Sequence, residues 1–400
     1  MNELDYNTLE SIVSQYRKIC IWGFGRSGKS YVFMSLVAAK AENICFCDRN
    51  YRIGVDYFSC PLISKDELFR EKSVFVFVAV YDLADQKSIS DELCKQGIPY
   101  RVFDRCSFST LCESIDESGD NQLKTKYNDI LDDEEYIKNL YRLRVQKELN
   151  LDDPRTLNEK IQWLKIHDKN PLYPSIADKY EVKKYISNAL GSDYSVPTIG
   201  IWEQFEDIDF SKLPQYYVLK CTHDNSSVFL SDDRDDSNLL VANDVIERGL
   251  HTNFFWICRE WPYKSLQHNV IAEPLLRDDN ATVNEYKFMC FNGQAYFFWV
   301  RSTEHGILTR NFYDMKRNEI AFSFGSAPKH SNIKAIKESF WTSITQKINK
   351  LASEFKHVRI DTYIMRDHFY VGEITLYTGS GLDNWHPYYD SVKYGDLIQL

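Results

Sequence analysis

Short apolar runs alternate with helical stretches over residues 18–104, and this alternation constrains the fold more than any other feature of the chain. The apolar runs are KICIW (18–22), NICFCD (43–48), VFVFVAV (74–80) and PYRVFD (99–104). Residues 29–41 and 83–96 lie between these runs and have the length and hydrophobic pattern of helices. This order predicts a small α/β unit with parallel strands.

The first apolar run leads into GFGRSGKS (23–30), which satisfies two phosphate-binding motifs at once. As G-x-G-x-x-G it is the turn of a dinucleotide-binding unit, in which Gly23, Gly25 and Gly28 let the backbone approach a pyrophosphate at a helix N-terminus. As G-x-x-x-x-G-K-[ST] it is a P-loop that holds a triphosphate and magnesium. Both motifs need a strand before and a helix after, so the flanking sequence does not decide between them.

Acidic residues at the ends of the apolar runs favour the dinucleotide-binding interpretation. Asp48 ends the second run, close to the place of a ribose-binding acid in that fold. A P-loop needs an acid at a strand end for magnesium, and only Asp82 is available. We therefore predict a small Rossmann-like domain with Asp48 and the three glycines at its ligand site. The sequence leaves open whether this unit binds a nucleotide or nucleotide-sugar, or is an inert or regulatory module.

Size, charge and cysteine usage exclude several classes of protein. A chain of 400 residues is too long for one ordinary core, so we expect two domains. The formal net charge of −10 argues against a general nucleic-acid-binding protein, which would carry a basic surface. The 10 cysteines include no C-x-x-C pair, and Cys45 and Cys47 lie in an apolar run, so we predict free thiols. No apolar run has membrane-spanning length and we find no signal peptide, so we expect a cytoplasmic protein.

The composition changes near residue 112. The segment CESIDESGDNQLKTKYND (112–129) is polar and poor in large aliphatic residues, as a linker would be. Helical patterns follow over roughly 133–190, and runs rich in Tyr and Phe dominate after residue 216, as in a half-buried antiparallel sheet. We predict an α/β Rossmann-like domain over 1–111, a linker over 112–130 and an α+β domain over 131–400.

The segment HVRIDTYIMRDHFYVGEITLY (357–377) contains two strand-like runs around a polar turn. A regular hairpin centred on Asp367 places Asp361 opposite Glu373 and Arg359 opposite Thr375, with all four on one face. The other face is apolar and is made by Val358, Ile360, Ile364, Ile374 and Leu376.

Two carboxylates that face each other across a hairpin repel unless a cation lies between them. A magnesium ion, which binds carboxylate and phosphate oxygens together, would satisfy Asp361 and Glu373. The alternative is a surface hairpin whose acids pair with lysines. We favour the metal site because Arg359 shares the face of the two acids.

A site for metal and phosphate also needs protein cations. Lys220 ends the apolar run YYVLK, and Lys179 precedes a helical pattern. Glu273 interrupts the apolar run VIAEPLL and would suit the ribose or adenine of a nucleotide. None of these residues alone identifies a class of protein, whereas their order along the chain does.

Two lysines, a glutamate, and then Asp and Glu on adjacent C-terminal strands are in the order found in the ATP-grasp superfamily. Residues from about 136 to 400 resemble its TupA-like family, named for teichuronopeptide biosynthesis. The matching segments are NLYRLRVQKELNLDDPRTLNEKIQWLK (139–165), ADKYEVKKYI (177–186), VLKCTHD (218–224), REWPYK (259–264), EYKFMCFNG (285–293), RNFYD (310–314), VRIDTY (358–363) and GEITLYTGSG (372–381). Residues 46–69 separately resemble Rossmann-like domains attached to enzymes of surface-polysaccharide assembly.

The TupA-like resemblance implies an ATP-grasp fold, which clamps ATP between two α+β subdomains. It implies a ligase that joins a carboxylate of uronic-acid type to an amine through an acylphosphate, with ATP and Mg²⁺ as cofactors, in surface-polysaccharide biosynthesis. Carried over by position, the resemblance implies that Lys179 and Lys220 contact the ATP phosphates, that Glu273 holds the nucleotide at the hinge, and that Lys287 lies near the nucleotide or phosphates. It implies that Asp361 and Glu373 bind magnesium. It also implies that Arg359 and Arg310 contact the transferring phosphoryl group or the substrate carboxylate.

One segment departs from the family pattern. Where the family usually has glycines that close over the phosphates, this chain has Asn225, Ser226 and Ser227, which lack the freedom of glycine to take positive φ. An inactive nucleotide-binding module is therefore one alternative. A glycosyltransferase is the other, because Asp233-Arg234-Asp235 forms a D-x-D sequence, although this run is also typical of a solvated turn.

Overall fold

The computed structural model describes residues 4–52, 54–231, 236–278, 281–304, 307–324 and 335–400. The chain divides into two compact units. The first comprises residues 1–149 and 252–259, and the second comprises residues 150–251 and 260–400.

The first unit is built on a six-stranded sheet with the order β3-β4-β2-β1-β5-β6. Its strands are β1 (Lys18–Trp22), β2 (Ile44–Cys47), β3 (Asp56–Tyr57), β4 (Cys60–Ile63), β5 (Val74–Val78) and β6 (Tyr100–Val102). All neighbours pair in parallel except β3, which is antiparallel to β4. The four predicted strands are confirmed, whereas the sequence analysis did not identify β3 and β4. Each of the four residues of β2 is buried, as expected for a parallel strand covered on both faces.

Helices cover this sheet and continue beyond it. They are α1 (Tyr6–Gln15), α2 (Phe33–Ala38), α3 (Lys65–Arg70), α4 (Leu83–Lys95), α5 (Arg105–Asp116), α6 (Asn121–Lys126), α7 (Asn128–Leu131) and α8 (Asp133–Val145). Most of the predicted linker, residues 112–130, is therefore helical, and Tyr127 and Ile130 are fully buried. The structure differs here from the predicted boundaries at 111 and 131, because aromatic and aliphatic side chains spaced along a polar sequence suffice to bury one face of short helices.

Residues 252–259 return to the first unit from within the second. The segment contains α13 (Phe255–Cys258) and ends at Arg259, whose side chain is fully buried. The Arg259 guanidinium lies 4.1 Å from the ring centre of Tyr136 and forms an ion pair with Asp133 (3.0 Å). It also donates to the carbonyl of Trp256 (2.7 Å). This set of contacts fixes the segment within the first unit.

The second unit contains two principal sheets. The four-stranded sheet has the order β7-β10-β8-β9, and the five-stranded sheet has the order β15-β14-β13-β17-β18. The strands of this unit are β7 (Gly200–Trp202), β8 (Tyr217–Cys221), β9 (Val228–Ser231), β10 (Val270–Pro274), β11 (Arg277–Asp278), β12 (Ala281–Thr282), β13 (Glu285–Phe291), β14 (Gln294–Glu304), β15 (Ile307–Asp314), β16 (Ser323–Phe324), β17 (His357–Ile364), β18 (Phe369–Thr375) and β19 (Trp385–His386). Every pairing within the two principal sheets is antiparallel, as predicted.

The helices of the second unit are α9 (Leu157–His167), α10 (Tyr173–Ala177), α11 (Val182–Leu190), α12 (Asp236–Leu250), α14 (Glu338–Ala352) and α15 (Tyr388–Gly395). One large core joins α9, α11 and α14 to the apolar face of the five-stranded sheet. A smaller core lies between α12 and the four-stranded sheet. Buried apolar side chains lie on both faces of the five-stranded sheet, since Met289, Trp299 and Phe312 share the face of Lys287.

None of the helices within the described ranges is both long and apolar enough to cross a membrane. All ten cysteines are free thiols, and Cys45 and Cys47 are buried, as predicted.

Candidate active site

Lys220 and Glu273 lie on one face of the four-stranded sheet. β8 and β10 pair so that Glu273 is opposite Val218, two residues from Lys220 on the same side of β8. Lys220 Nζ lies 2.7 Å from Glu273 Oε2, and Lys183 Nζ of α11 lies 2.6 Å from Oε1. Although burial alone would raise the pKa of Glu273, the two ammonium groups hold it below its usual value. The structure thus brings together two predicted residues and adds Lys183, which the sequence analysis did not single out.

Lys179 anchors the loop that follows β8. Its side chain is buried between α10 and α11, and its ammonium group donates to the carbonyl oxygens of Cys221 (3.1 Å) and Asp224. Its backbone N–H also donates to the carbonyl of Thr222 (2.9 Å). Lys179 therefore holds the shape of this loop.

The side chains that replace the expected glycines belong to the same loop. Asn225, Ser226 and Ser227 all have negative φ, so their backbone does not require glycine. The Asp224 carboxylate accepts hydrogen bonds from Ser227 N–H (3.0 Å) and Oγ (2.6 Å), and from Ser226 Oγ (3.2 Å). The loop is thus stabilised by an aspartate and two serines rather than left open by glycines.

The buried His223 stacks on the half-buried His268 beside this loop. The rings of His223 and His268 are 3.7 Å apart and nearly parallel, at 4°. Burial, followed by the neighbouring His268, lowers the pKa of His223 to about 4. Burial also lowers the pKa of His357, at the start of β17, to about 4. Both groups are therefore neutral in the folded protein near pH 7.

Acidification should destabilise the protein between pH 6.5 and about 4. His223 and His357 bind protons in the unfolded chain near pH 6.5 but resist them in the folded protein, so stability is lost as the pH falls. Each histidine should lower the free energy of unfolding by about 1.4 kcal/mol per pH unit in this window. Urea denaturation at pH 7, 6 and 5 measures the slope.

His357→Phe should reduce this slope. The His357→Phe variant isolates the contribution of the histidine, because Glu260 changes the pH dependence of stability in the opposite direction. Burial raises the pKa of Glu260, so its protonation stabilises the folded protein as the pH falls. An unaltered slope in His357→Phe would contradict the assignment.

The hairpin of β17 and β18 has the predicted register at its charged residues, Arg359, Asp361 and Glu373. Arg359 is opposite Thr375, and Asp361 is opposite Glu373. The predicted apolar face is buried in the main core. Beyond Asp361 the register shifts by one residue, at Gly372. A Cβ atom at Gly372 would lie 2.5 Å from the ring of Tyr363, so the bulge makes room for this ring.

Asp361 is fully buried and is paired with two cations of the protein. Arg359 donates to both carboxylate oxygens, through Nε to Oδ1 (2.6 Å) and Nη2 to Oδ2 (2.8 Å). Lys287 of β13 lies directly opposite Asp361 and donates to Oδ2. Burial alone would raise the pKa of Asp361, but the charges of Arg359 and Lys287 hold it below its usual value. The cation between the opposed strands is thus supplied by the protein itself, and the repulsion argument does not require a metal.

Glu373 is more accessible than Asp361. Its side chain is 32% exposed, it lies 4.0 Å from Arg359 Nη2, and its Oε1 accepts a hydrogen bond from Thr375 (3.0 Å). Two opposed carboxylates, one of them open to solvent, supply the hard oxygen ligands that magnesium prefers. Within the described ranges, no group of three or more His, Cys, Asp or Glu side chains is arranged to hold a metal. Of the two acids, Glu373 is the one whose oxygens are accessible to a metal ion.

Arg310 lies apart from this cluster. It belongs to β15, which is three strands from β17 and hence roughly 14 Å away at the usual strand spacing. Its Nη1 donates to the carbonyl of Phe324 (2.8 Å). Arg310 does share the polar face, because it pairs with Arg301, which pairs with Glu285, and Glu285 is 2.8 Å from Lys287 Nζ.

The acids of the two sheets influence one tyrosine. Burial raises the pKa of Tyr363 well above its usual value, and the negative charges of Glu285, Glu273, Asp361 and Glu373 raise it further. Asp233 and Asp235 of the D-x-D sequence lie outside the described residues.

A third polar group, missed by the sequence analysis, lies on α9. Asn158, Gln162 and Lys165 are buried; Gln162 and Lys165 donate to Ser380 of the turn Thr378–Gly381, and Asn158 donates to the carbonyl of Asp383 just after it. Their spacing of four and three residues places them on one helical face. Three polar residues on the buried face of an amphipathic helix were the available signal.

Two of the three glycines in the glycine-rich loop of the first unit pack closely against neighbouring backbone. Gly23 has φ 128°, and a Cβ atom there would lie 2.7 Å from the carbonyl oxygen of Ala79. A Cβ atom at Gly28 would lie 2.0 Å from the carbonyl oxygen of Gly23, whereas Gly25 has no neighbour within 4 Å of such an atom. The first and third glycines are thus needed for close packing, and the second leaves the backbone open.

Asp48 and Lys29 both face this loop. Asp48 Oδ2 accepts a hydrogen bond from the N–H of Phe24 (2.8 Å), and the Lys29 ammonium lies 3.8 Å from the Phe24 ring centre. Asp82 caps α4 by accepting from Asp85 N–H (2.8 Å). Lys29 and Asp82 have structural partners, which weighs against a P-loop.

Comparison with known proteins identifies the family to which this chain belongs. A family model described as TupA-like ATPgrasp matches residues 159–399, more than half of the chain. No curated protein matches the sequence.

Three ligases are among the similar solved structures. The D-alanine–D-alanine ligase of Bacillus anthracis has 13% identity, with 90% of this chain and 86% of that chain covered and a TM-score of 0.32. The D-alanine–D-alanine ligase of Helicobacter pylori has 11% identity, coverage of 96% and 99%, and a TM-score of 0.34. The L-amino acid ligase of Bacillus licheniformis has 11% identity, coverage of 92% and 70%, and a TM-score of 0.33. Because these TM-scores are below 0.5, the family model alone carries the assignment.

Proposed function

The chain belongs to the TupA-like ATP-grasp family, and we propose that it is an ATP- and magnesium-dependent ligase that joins a carboxylate to an amine through an acylphosphate. The observation that carries this proposal is the polar face of the second unit, where Asp361 opposes Glu373 beside Arg359 and Lys287. Activation of a carboxylate by ATP brings anions together, so it requires cations at the point of transfer.

The nucleotide is proposed to bind on the four-stranded sheet. Lys220 lies opposite Val228, and Val218 lies opposite Leu230, so two apolar side chains share the face of Lys220. Val228 is 43% exposed and Leu230 is 55% exposed. An apolar surface beside a lysine suits a base with its attached phosphates. Glu273, held by Lys220 and Lys183, is placed to accept a hydrogen bond from the nucleoside.

Magnesium is proposed to bind at Glu373 and Asp361. When bound, it supplies charge neutralisation for the transferring phosphoryl group. Arg359 and Lys287 both contact Asp361, and their donors can serve phosphate or carboxylate oxygens as well as Asp361. Arg310 is proposed to bind a more distant anionic part of the substrate, because it lies toward the opposite edge of the same face.

The substrates are proposed to be a uronic-acid-type carboxylate of a surface-polysaccharide precursor and an amino acid or other amine. The family resemblance supports this choice. Release of ADP and phosphate from magnesium-ATP, measured over a panel of uronic acids and amino acids, tests it. Stimulation that needs both a carboxylate and an amine is expected, and release of a nucleotide from a sugar donor instead would indicate a glycosyltransferase.

We also propose that the first unit is Rossmann-like. Its parallel strands in chain order, β1, β2, β4, β5 and β6, are arranged as third-second-first-fourth-fifth, which matches five strands of the six-stranded order 3-2-1-4-5-6 of dinucleotide-binding folds. The loop at Gly23, Gly25 and Gly28 then lies where such a fold binds pyrophosphate, and Asp48 lies beside it. A nucleotide or nucleotide-sugar is the proposed ligand.

Lys220→Ala should weaken binding of a non-hydrolysable magnesium-ATP analogue by about 10- to 100-fold. This corresponds to the roughly 1.5–3 kcal/mol of a charged hydrogen bond to phosphate. Lys29→Ala, the matched control in the first unit, should change the affinity less than twofold, because its ammonium group packs on Phe24. Isothermal titration calorimetry measures both, and the reverse ranking would restore the P-loop interpretation.

A further inference from the structure

Two arginines lie directly opposite each other on neighbouring strands of the five-stranded sheet. Arg301 of β14 pairs with Arg310 of β15, and the register places both on the face that carries Lys287 and Asp361. Side chains in such a pair have Cβ atoms about 4.5–5.5 Å apart, and like charges placed directly opposite each other destabilise a sheet. An anion bound between the two guanidinium groups would remove this repulsion.

The side chain of Arg310 is held in place by Phe324. Its Nη1 donates to the carbonyl of Phe324 (2.8 Å), and its guanidinium carbon lies 5.4 Å from the centre of the Phe324 ring. A carbonyl and an aromatic ring carry no net charge, so these two contacts orient the guanidinium without neutralising it. Arg310 is half-buried, and a partly buried charge is screened less by salt than an exposed one.

Arg301 is more accessible and is only partly neutralised by Glu285. Its side chain is 49% exposed, and its Nη1 lies 3.5 Å from Glu285 Oε2. The other oxygen of Glu285, Oε1, lies 2.8 Å from Lys287 Nζ. One carboxylate thus serves two cations, and exposed ion pairs of this kind contribute little free energy. The Arg301 guanidinium can therefore turn to a ligand at small cost.

A continuous chain of contacts joins the two arginines to the proposed transfer site. It runs from Arg301 through Glu285 to Lys287, whose ammonium group donates to Asp361. At the usual strand spacing, Arg301 lies roughly 10 Å and Arg310 roughly 14 Å from β17. The arginines therefore form a second cationic position at a defined distance from the acids.

The reacting carboxylate does not need these arginines. A carboxylate held beside Asp361 would contact Arg359 and Lys287, which already lie there. Arg301 and Arg310 lie one and two strands beyond β13, on the side away from β17. Their anion is therefore a separate group of the substrate.

We propose that Arg301 and Arg310 bind a diphosphate attached to the anomeric carbon of the uronic acid, so that the carboxylate substrate is a glycosyl diphosphate. This inference rests on the proposed ligase function and specifies the chemical form of its substrate. Planar guanidinium groups bind phosphate oxygens bidentately, and a diphosphate offers two phosphates to two arginines. Nucleotide-linked and lipid-linked sugars share this group, and amide formation at the carboxylate leaves it intact.

Three carboxylates test the proposal and distinguish the two sources of the diphosphate. They are D-glucuronate, UDP-glucuronate, and glucuronate joined by a diphosphate to a short prenyl chain. Hydroxylamine traps the acylphosphate, and ATP-dependent hydroxamate formation is measured with each carboxylate. In wild type, kcat/KM should be about 100-fold higher with a diphosphate than with D-glucuronate, roughly tenfold for each charged hydrogen bond. The better of the two diphosphates identifies the source.

Arg301→Gln and Arg310→Gln should each lower the ratio of kcat/KM for the preferred diphosphate to that for D-glucuronate about 10-fold, mainly through KM. Damage to the fold or to ATP binding would instead lower both rates together and leave the ratio unchanged. Arg366→Gln, at an exposed arginine in the turn of the β17–β18 hairpin, is the matched control and should keep the wild-type ratio.

Equal kcat/KM for D-glucuronate and both diphosphates in wild type would overturn the inference. An unchanged ratio in both Arg301→Gln and Arg310→Gln would overturn it too. Absence of ATP-dependent hydroxamate from wild type, with these three carboxylates and with the panel of uronic acids, would instead contradict the proposed ligase function.

Discussion

Asp361→Asn should lower the free energy of unfolding by about 3–5 kcal/mol, the cost of breaking a buried ion pair by removal of one partner. Asp361 is fully buried, and its carboxylate pairs with Arg359 and Lys287. Asparagine keeps the shape but leaves the two cations without the negative charge that they share. Urea denaturation at pH 7 measures the loss.

Asp367→Asn is the control, because Asp367 is exposed at the turn of the same hairpin and should change stability by less than about 0.5 kcal/mol. The pair Lys287→Met and Asp361→Asn should lose less than the sum of the two single changes, since each removes the partner of the other. A loss below 1 kcal/mol in Asp361→Asn would contradict the energetic role given to this pair.

Glu373→Gln should lower ATP turnover at least 100-fold while the protein stays folded. Glu373 is one-third exposed and lies at the limit of an ion pair with Arg359, so its charge contributes little to stability. Its proposed role is to bind magnesium, and a factor of 100 corresponds to about 2.7 kcal/mol of transition-state stabilisation. Thermal unfolding and ADP release, each measured over a range of magnesium concentrations, separate stability from turnover.

The matched control for this change is Glu354→Gln, at an exposed glutamate after α14. It should retain full turnover. Full magnesium-dependent turnover in Glu373→Gln would show that Glu373 does not bind the magnesium ion needed for turnover.

Local patterns in the sequence were sufficient to predict the hairpin of β17 and β18. Alternation over β17 and β18 fixes which side chains share a face, and a short polar turn fixes the register near Asp361 and Glu373. The shift at Gly372 was not predictable, because the need for it comes from the ring of Tyr363 on the neighbouring strand. Periodicity likewise predicted β1, β2, β5 and β6, whereas the short strands β3 and β4 were not predicted.

Contacts between distant parts of the chain were not predictable. The sequence shows that Lys165 lies on a helix, but its partner Ser380 is 215 residues away. The pairing of Glu273 with both Lys220 and Lys183 depends on which strands become neighbours and on where α11 lies. For Asp361 the sequence indicated the need for a counter-charge, and only the strand order showed that Lys287 provides part of it.

The predicted linker illustrates a limit of composition. A polar stretch with few aliphatic residues resembles a connection, yet Tyr127 and Ile130 bury one side of its helices. Residues 252–259 are the complementary case, since nothing local shows that they belong with residues 1–149.

The return of residues 252–259 has a consequence during protein synthesis. The first unit cannot be completed when residue 149 leaves the ribosome, because Arg259 and α13 are then about 100 residues from being made. At 5–20 residues per second, this is a delay of roughly 5–20 s. Throughout that interval Tyr136 and Asp133 lack the guanidinium group that packs between them in the finished protein. A nascent chain paused within the second unit therefore carries an incomplete first unit.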